Sequence, residues 1–365
     1  INRPGTGRLQ TRRLSRRSFL YLTGGAVATL AAGCGPARLT PPPTPPLPPT
    51  STPPPAAPIP AAPIDAPGVP LTPDEAATGI PITPNEQFYI QSHKNNPQVD
   101  VESWRLTIDG LVERPLTLAY DEIRALPSVV EMRTVECISN PAGGPLIGNA
   151  IWEGVRLGEL LERAGVRPEA ARAGFEAADG YYTDISLERI AHPDALLVYK
   201  MNGDPLPMEH GFPLRILMPG LYGQKMPKWI TRIRFTDRGQ QGYWESRGWS
   251  DEAVVKTNSR IVTPQDNATV GQPVLISGLS YGGDRAIVRV EVGIDEMEWH
   301  QASLFTPPTP YAWSRWQYEW SGAPGKHTLL VRATDADGFT QEHKTDNTFP
   351  DGTANIHWVV VEVVE

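Results

Sequence analysis

The chain of 365 residues is poor in cysteine, with only Cys34 and Cys137. Two thiols exclude a disulfide framework, and with it any zinc site built on several thiolates. Basic residues are also in deficit: 33 Lys and Arg stand against 41 Asp and Glu, a formal net charge of −8. A nucleic-acid partner, which needs a basic face, is not expected. No apolar run reaches the roughly 18 residues that span a bilayer as a helix. What the chain has in excess is proline, 39 residues, of which fifteen fall between positions 39 and 70. That density marks a linker or tail, not a packed domain. Hydrophobic residues, at 40%, leave ample material for a core elsewhere, and the length suits two domains.

Residues 1–33 carry six arginines and no acid, and the stretch 19–32 is apolar and small. A charged start, a short apolar stretch and small residues before a cut describe an export signal. Ser15-Arg16-Arg17-Ser18-Phe19-Leu20 resembles the twin-arginine consensus, used for proteins exported already folded around a cofactor. An ordinary secretory signal is the alternative. Leu30-Ala31-Ala32-Gly33-Cys34 resembles a lipobox in which Cys34 is lipidated; plain cleavage near Ala32 is the alternative. The expected placement is therefore periplasmic, or on another extracytoplasmic face, held to the membrane only by a lipid on Cys34. A polyproline II linker at ~3.1 Å per residue would make a stalk on the order of 90 Å. Residues 1–34 are read as the signal and 35–82 as a disordered proline-rich linker.

From about residue 83 the composition becomes ordinary. Residues 104–110 alternate and then turn, which predicts a strand. A short helix is expected over 118–126, stopping at Pro127, and an extended segment over 129–138. Helical spacing over 157–164 ends at Gly165. Further apolar strands are expected at 195–201, 213–218 and 229–236. Short helices mixed irregularly with strands give an α+β domain over 83–257. Beyond it the helical patterns vanish. Strand-like runs at 274–276, 287–294, 316–320, 328–333 and 357–364, with turn residues between them, predict an all-β immunoglobulin-like sandwich over 258–365. In one of them Val288, Val290, Val292 and Ile294 should share a buried face. Asp335-Ala336-Asp337-Gly338 reads as a turn, since the flanking helices and closing glutamate of a calcium loop are missing.

Cys137 is the one cysteine inside the folded part. A lone cysteine is most often a small buried apolar residue. Cys137, however, ends a strand and opens the loop Ser139-Asn140-Pro141-Ala142-Gly143-Gly144, the kind of place where ligands concentrate. A second loop region surrounds Arg215, from His210-Gly211-Phe212-Pro213 to Lys225-Met226-Pro227-Lys228-Trp229. Its glycines allow close backbone approach, and Arg215, Lys225 and Lys228 can neutralise an anion such as a phosphate; a solvated hairpin is the alternative.

Together, Thr134-Val135-Glu136-Cys137-Ile138-Ser139-Asn140, Met201-Asn202-Gly203-Asp204-Pro205-Leu206-Pro207 and the run 210–229 resemble the sulfite oxidase family of molybdopterin enzymes. The resemblance covers about residues 83–365, the last part being similar to that family's immunoglobulin-like dimerisation domain. It implies one molybdenum with molybdopterin per chain and Cys137 as the thiolate ligand, a soft donor suited to that metal. It further implies that His93, His210, Arg215, Lys225 and Lys228 hold the cofactor, while Asn140 supports the cysteine loop. A homodimer is implied in the same way.

This chain departs from sulfite oxidases proper in three places. Gln91 stands where they carry an arginine two residues before the histidine matched by His93. Ala142 stands where they carry another, five residues after the cysteine. Ser246 falls at the place of the family's active-site tyrosine, before Arg247-Gly248-Trp249. Two absent guanidinium forks weaken the grip on a small oxyanion, unless Arg247, Lys256 or Arg260 substitutes. Gln91 and Arg247 join Cys137 as candidate catalytic residues. Oxidation of sulfite to sulfate is the first expectation, and reduction of a sulfoxide such as methionine sulfoxide is the alternative. The sequence has no Cys-x-x-Cys-His haem attachment, so a c-type cytochrome or a quinone-linked subunit is the expected electron partner. A reading of another class is a tethered, non-enzymatic binding protein with Cys137 merely buried.

Overall fold

The computed structural model describes residues 79–295, 298–344 and 347–365. The export signal, Cys34 and the proline-rich segment up to residue 78 lie outside the described residues. Among the described residues, no helix is long and apolar enough to cross a membrane.

The first domain is built on two sheets. One runs in the order Leu116–Ala119, Arg105–Gly110, Ile230–Thr236, Arg172–Ala177, Tyr182–Ser186. Its central pair is parallel, with Thr107 opposite Arg232, and its other pairs are antiparallel. The other sheet runs Ser128–Glu136, Ile147–Arg156, Leu196–Met201, Asp204–Pro205, and Arg215–Leu217 also pairs with Leu196–Met201. Leu106, Ile108, Trp152, Leu196, Val198, Ile216 and Phe235 fill one core between them. The helix expected over 118–126 is shorter than its pattern, Tyr120–Arg124, because residues up to Ala119 are drawn into a strand. The Ala119 amide donates to Glu122 Oε2 at 2.7 Å and caps the helix start. The helix Leu157–Ala164 ends as its sequence indicates, on Gly165 at φ 66°.

The second domain is a two-sheet β-sandwich, as the spacing of strands and turns predicts. Four strands run in the order Asn258–Thr263, Val274–Tyr281, Ser314–Trp320, Ser303–Phe305. Five face them in the order Ala268–Val270, His357–Val363, Gly325–Asp335, Ile287–Ile294, Glu298–Gln301. Ile276, Val290, Val292, Trp316, Val331 and Val361 interdigitate between the sheets. The expected alternation fails at Val288, which is 55% exposed. The pairing of Ile287–Ile294 with Gly325–Asp335 shifts register between Ile287 and Arg289, and the bulge hands the buried place to Ile287. Asp335 ends its strand and holds the turn that follows: its Oδ1 accepts from the amides of Asp337 and Phe339, and its Oδ2 from Thr257 and Arg285.

Candidate active site

Chain segments from both sheets of the first domain converge on a cavity of about 260 Å³. Strand Ser128–Glu136 delivers Cys137 to its wall. The Cys137 amide donates to Leu146 O and its carbonyl accepts from the Asn140 amide, both at 2.9 Å, so the loop closes directly behind the thiol. Cys137 Sγ lies 3.1 Å from Ser139 Oγ. Burial pushes the thiol pKa up, so a free thiol here stays protonated, and only a bound cation would hold it as thiolate.

The opposite wall carries the positive charge. Arg215 is 5% exposed; its Nη1 donates to His210 O at 3.2 Å, its guanidinium lies over Trp152, and its Nε has no partner. With no anion beside it, burial lowers its pKa to about 10. Lys228 Nζ donates to Ser92 Oγ at 2.7 Å and Glu209 O at 2.8 Å. Burial, reinforced by Arg215, pulls it down to about 7. Among the described residues neither cation makes an ion pair, although Asp179 in the same wall and Glu209 act on Lys228 from a distance, and two such neighbouring cations suit an anion.

The two histidines play a different part. His93 Nδ1 faces Asp179 Oδ2 at 3.0 Å, and its buried Nε2 has no partner. Burial holds the ring below its usual pKa although Asp179 pulls the other way. A neutral His93 that donates through Nδ1 presents Nε2 as an acceptor. His210 Nε2 donates to the Asn85 carbonyl at 2.9 Å, and burial lowers its pKa as well. Positive charge in the cavity therefore comes from Arg215 and Lys228, and His93 Nε2 offers an acceptor to a ligand N–H group.

Of the residues singled out in the sequence, Cys137, Gln91, His93, His210, Arg215 and Lys228 line this cavity. Asn140 lies behind it, donating to Glu136 Oε1 and accepting from the Leu146 amide, each at 2.9 Å. Lys225 does not fit the cofactor contact expected for it. Its fully buried ammonium meets Glu245 at 2.5 Å, the Asp184 carbonyl at 2.9 Å and Thr183 at 3.2 Å. The 3₁₀ turn Gly223–Lys225 turns it away from the cavity, and the counter-charge it needs comes from Glu245. Arg247 is exposed and sits over the Tyr243 ring at 3.6 Å, outside the lining. Tyr243 in turn packs on His93 at 4.7 Å. Lys256 and Arg260, the other candidate substitutes, are engaged with Gly352 O and Gly144 O.

Sequence reasoning did not single out Asp179, Tyr181 or Trp244, and it held Gln224 and Trp249 only within longer motifs; all five line the wall. For Asp179 and Tyr181 the local signal was the Asp179-Gly180 turn between two strands. The Tyr181 hydroxyl donates to Gln224 O at 2.7 Å, and Gln224 Nε2 donates to Ser250 O at 2.9 Å.

A negatively charged pterin phosphate with N–H donors on its ring fits these residues: two cations outside any ion pair among the described residues, an orphan Arg215 Nε, an orphan His93 Nε2 and a thiol. A prediction follows from the titration of Lys228. Unfolded, it holds its proton to the ordinary lysine range; folded, only to about 7. The cofactor-free protein should therefore gain stability from this group as pH rises above 7 and none below. Inorganic phosphate should raise the melting temperature most below pH 7, where the ammonium is present. Thermal melts of wild type and Lys228→Met across pH, with and without phosphate, check this; the variant should lose both effects.

Comparison with known proteins agrees with this chemistry. Residues 93–244 match the oxidoreductase molybdopterin binding domain, and residues 251–363 match the Mo-co oxidoreductase dimerisation domain. The mitochondrial sulfite oxidase of Drosophila melanogaster is 34% identical over 283 residues, covering 64% of this chain and 49% of that protein. An uncharacterized oxidoreductase of Bacillus subtilis, YuiH, is 36% identical over 150 residues, 41% of this chain and 74% of its own length. The chain spans about half the length of the sulfite oxidases it matches. The crystal structure of the sulfane dehydrogenase SoxCD from Paracoccus pantotrophus shares the fold, with a TM-score of 0.68 at 24% identity over 78% of this chain and 84% of that one. A reading as a binding module with a merely buried cysteine is set aside: the chain belongs to the sulfite oxidase family of molybdopterin-dependent oxidoreductases.

Proposed function

We propose that the chain oxidises sulfite to sulfate, releasing two electrons and two protons per sulfite and water consumed. One observation carries this: Cys137 opens into a cavity whose far wall holds Arg215 and Lys228, neither of them in an ion pair among the described residues. When bound, the molybdenum cofactor supplies oxygen-atom transfer and two-electron redox chemistry. Cys137 would ligate the metal. Arg215 and Lys228 would hold the cofactor's phosphate, and the neutral ring of His93 would accept from one of its N–H groups. Tyr181, Trp244 and Trp249 add aromatic surface to the cavity wall.

Sulfoxide reduction is a second reading, favoured by Gln91, a neutral amide where a guanidinium would grip an oxyanion. Assays of the molybdenum-loaded chain separate the two. Sulfite-dependent reduction of cytochrome c or ferricyanide supports the first. Turnover of methionine sulfoxide with a reduced dye, and none of sulfite, replaces it with the second. Gln91→Arg adds a charge-assisted fork to the cavity wall and should lower the KM for sulfite roughly tenfold, ~1.4 kcal/mol, with a smaller change in kcat. An unchanged KM would place Gln91 away from the substrate.

The electron acceptor in this reading is a c-type cytochrome or a quinone-linked subunit. The twin-arginine-like leader and Cys34 support export and a lipid anchor, from which the proline-rich segment would let the enzyme reach its partner. The match of residues 251–363 to a dimerisation domain supports a homodimer.

A further inference from the structure

The strand that delivers Cys137 is held by the second domain. The Thr134 amide donates to Tyr311 O at 2.9 Å, Thr134 Oγ1 accepts from the Trp313 amide at 2.9 Å, and the Tyr281 hydroxyl donates to Thr134 O at 3.2 Å. Two residues on, the Glu136 carboxylate, 3% exposed, accepts from Asn258 Nδ2 at 3.0 Å on one oxygen and from Asn140 Nδ2 at 2.9 Å on the other. One acid thus joins the second domain to the loop after the cysteine. Arg260 Nη1 donates to Gly144 O at 3.1 Å farther along that loop. Gly143, at φ +72°, packs so closely on His357 that a Cβ there would fall 2.0 Å from a ring carbon. His357 Nδ1 accepts from the Ile261 amide at 3.0 Å, which fixes the ring against the loop.

We infer that Asn258, Arg260 and His357 are positioning residues, through which the second domain sets the direction of the Cys137 thiol in addition to any role in pairing copies of the chain. The contacts bracket the cysteine: Glu136 precedes it by one residue, and Gly143 and Gly144 follow by six and seven. A loop tied at those points has little freedom to swing its first residue. The inference rests on Cys137 being the metal ligand. Its readout needs no substrate, and the molybdenum content of wild type tests the ligand reading separately.

The test uses the full chain carrying Cys34→Ser, so that Cys137 is the one thiol, and follows the rate of maleimide labelling in cofactor-free protein. Arg260→Met and His357→Ala should each raise the rate at least roughly fivefold by loosening the loop, with the oligomeric state by light scattering unchanged. Arg260→Lys, which keeps a donor for Gly144 O, should stay within about twofold of the parent. Asn258→Ala removes a single donor to Glu136, so it serves if Arg260→Met does not fold, and should act in the same direction. Lower melting temperatures with labelling rates unchanged in these variants would reduce the contacts to ordinary interface packing and overturn the inference. So would equal rates for Arg260→Lys and Arg260→Met.

Discussion

Replacing Cys137 by serine is expected to leave the fold intact and to lower turnover on the order of a thousandfold, about 4 kcal/mol of activation free energy. The side chain contacts Ser139 Oγ and otherwise opens to the cavity, so losing the larger sulfur empties no core. Serine keeps the shape but not the chemistry. Its hydroxyl is a hard donor and much less acidic than a thiol, so it will not supply the soft anionic ligand this metal takes. Steady-state turnover per molybdenum, with thermal melts of both proteins, checks the prediction. A serine variant that kept more than about a tenth of wild-type turnover would remove Cys137 from the reaction.

Arg215→Met should produce opposite effects in the free and loaded protein. In the free protein Arg215 is a buried cation with no anionic partner among the described residues, its Nε unbonded there and its pKa lowered to about 10. An apolar side chain of similar length over Trp152 should leave the melting temperature of cofactor-free protein unchanged or higher. The loaded state depends on the same charge to hold a phosphate. Molybdenum per chain after purification should fall at least roughly tenfold, the loss of one charge-assisted pairing. Metal analysis beside a thermal melt reads both effects. If metal and stability fell together, Arg215 would be a scaffold residue and the anion site would lie elsewhere.

Lys225 and Lys228 show how folding separates two like charges. Both lie in one glycine-rich loop, three positions apart, and read from sequence as equal candidates for a phosphate. Folding gives Lys225 to Glu245, 20 residues away, which neutralises it within the core, and to the Asp184 carbonyl and the Thr183 hydroxyl, 41 and 42 residues away. Among the described residues Lys228 forms hydrogen bonds to a hydroxyl and a carbonyl and no ion pair, and burial lowers its pKa to about 7, so an anion in the cavity would be its partner. The role of a charge is set by its counter-charge, and local sequence does not contain that partner.

Much else was legible. The strand leading into Cys137, the loop of small residues after it and the glycine that stops Leu157–Ala164 follow from local rules of pairing, turning and capping. So did the change from mixed helices and strands to strands alone, because periodicity and turn residues act over short spans. Six of the residues chosen from motifs meet at one cavity. The bulge that exposes Val288 was not legible, since register depends on the partner strand. Nor were the grips of Asn258, Arg260 and His357 on a loop more than a hundred residues earlier. By itself, the sequence determined the two kinds of domain, part of their elements, the family and the thiol; strands such as Ile147–Arg156, Arg172–Ala177 and Tyr182–Ser186 were not read from it. The tertiary structure decided which charges stay unpaired and what holds the cysteine, because both depend on groups that only folding brings within bonding distance.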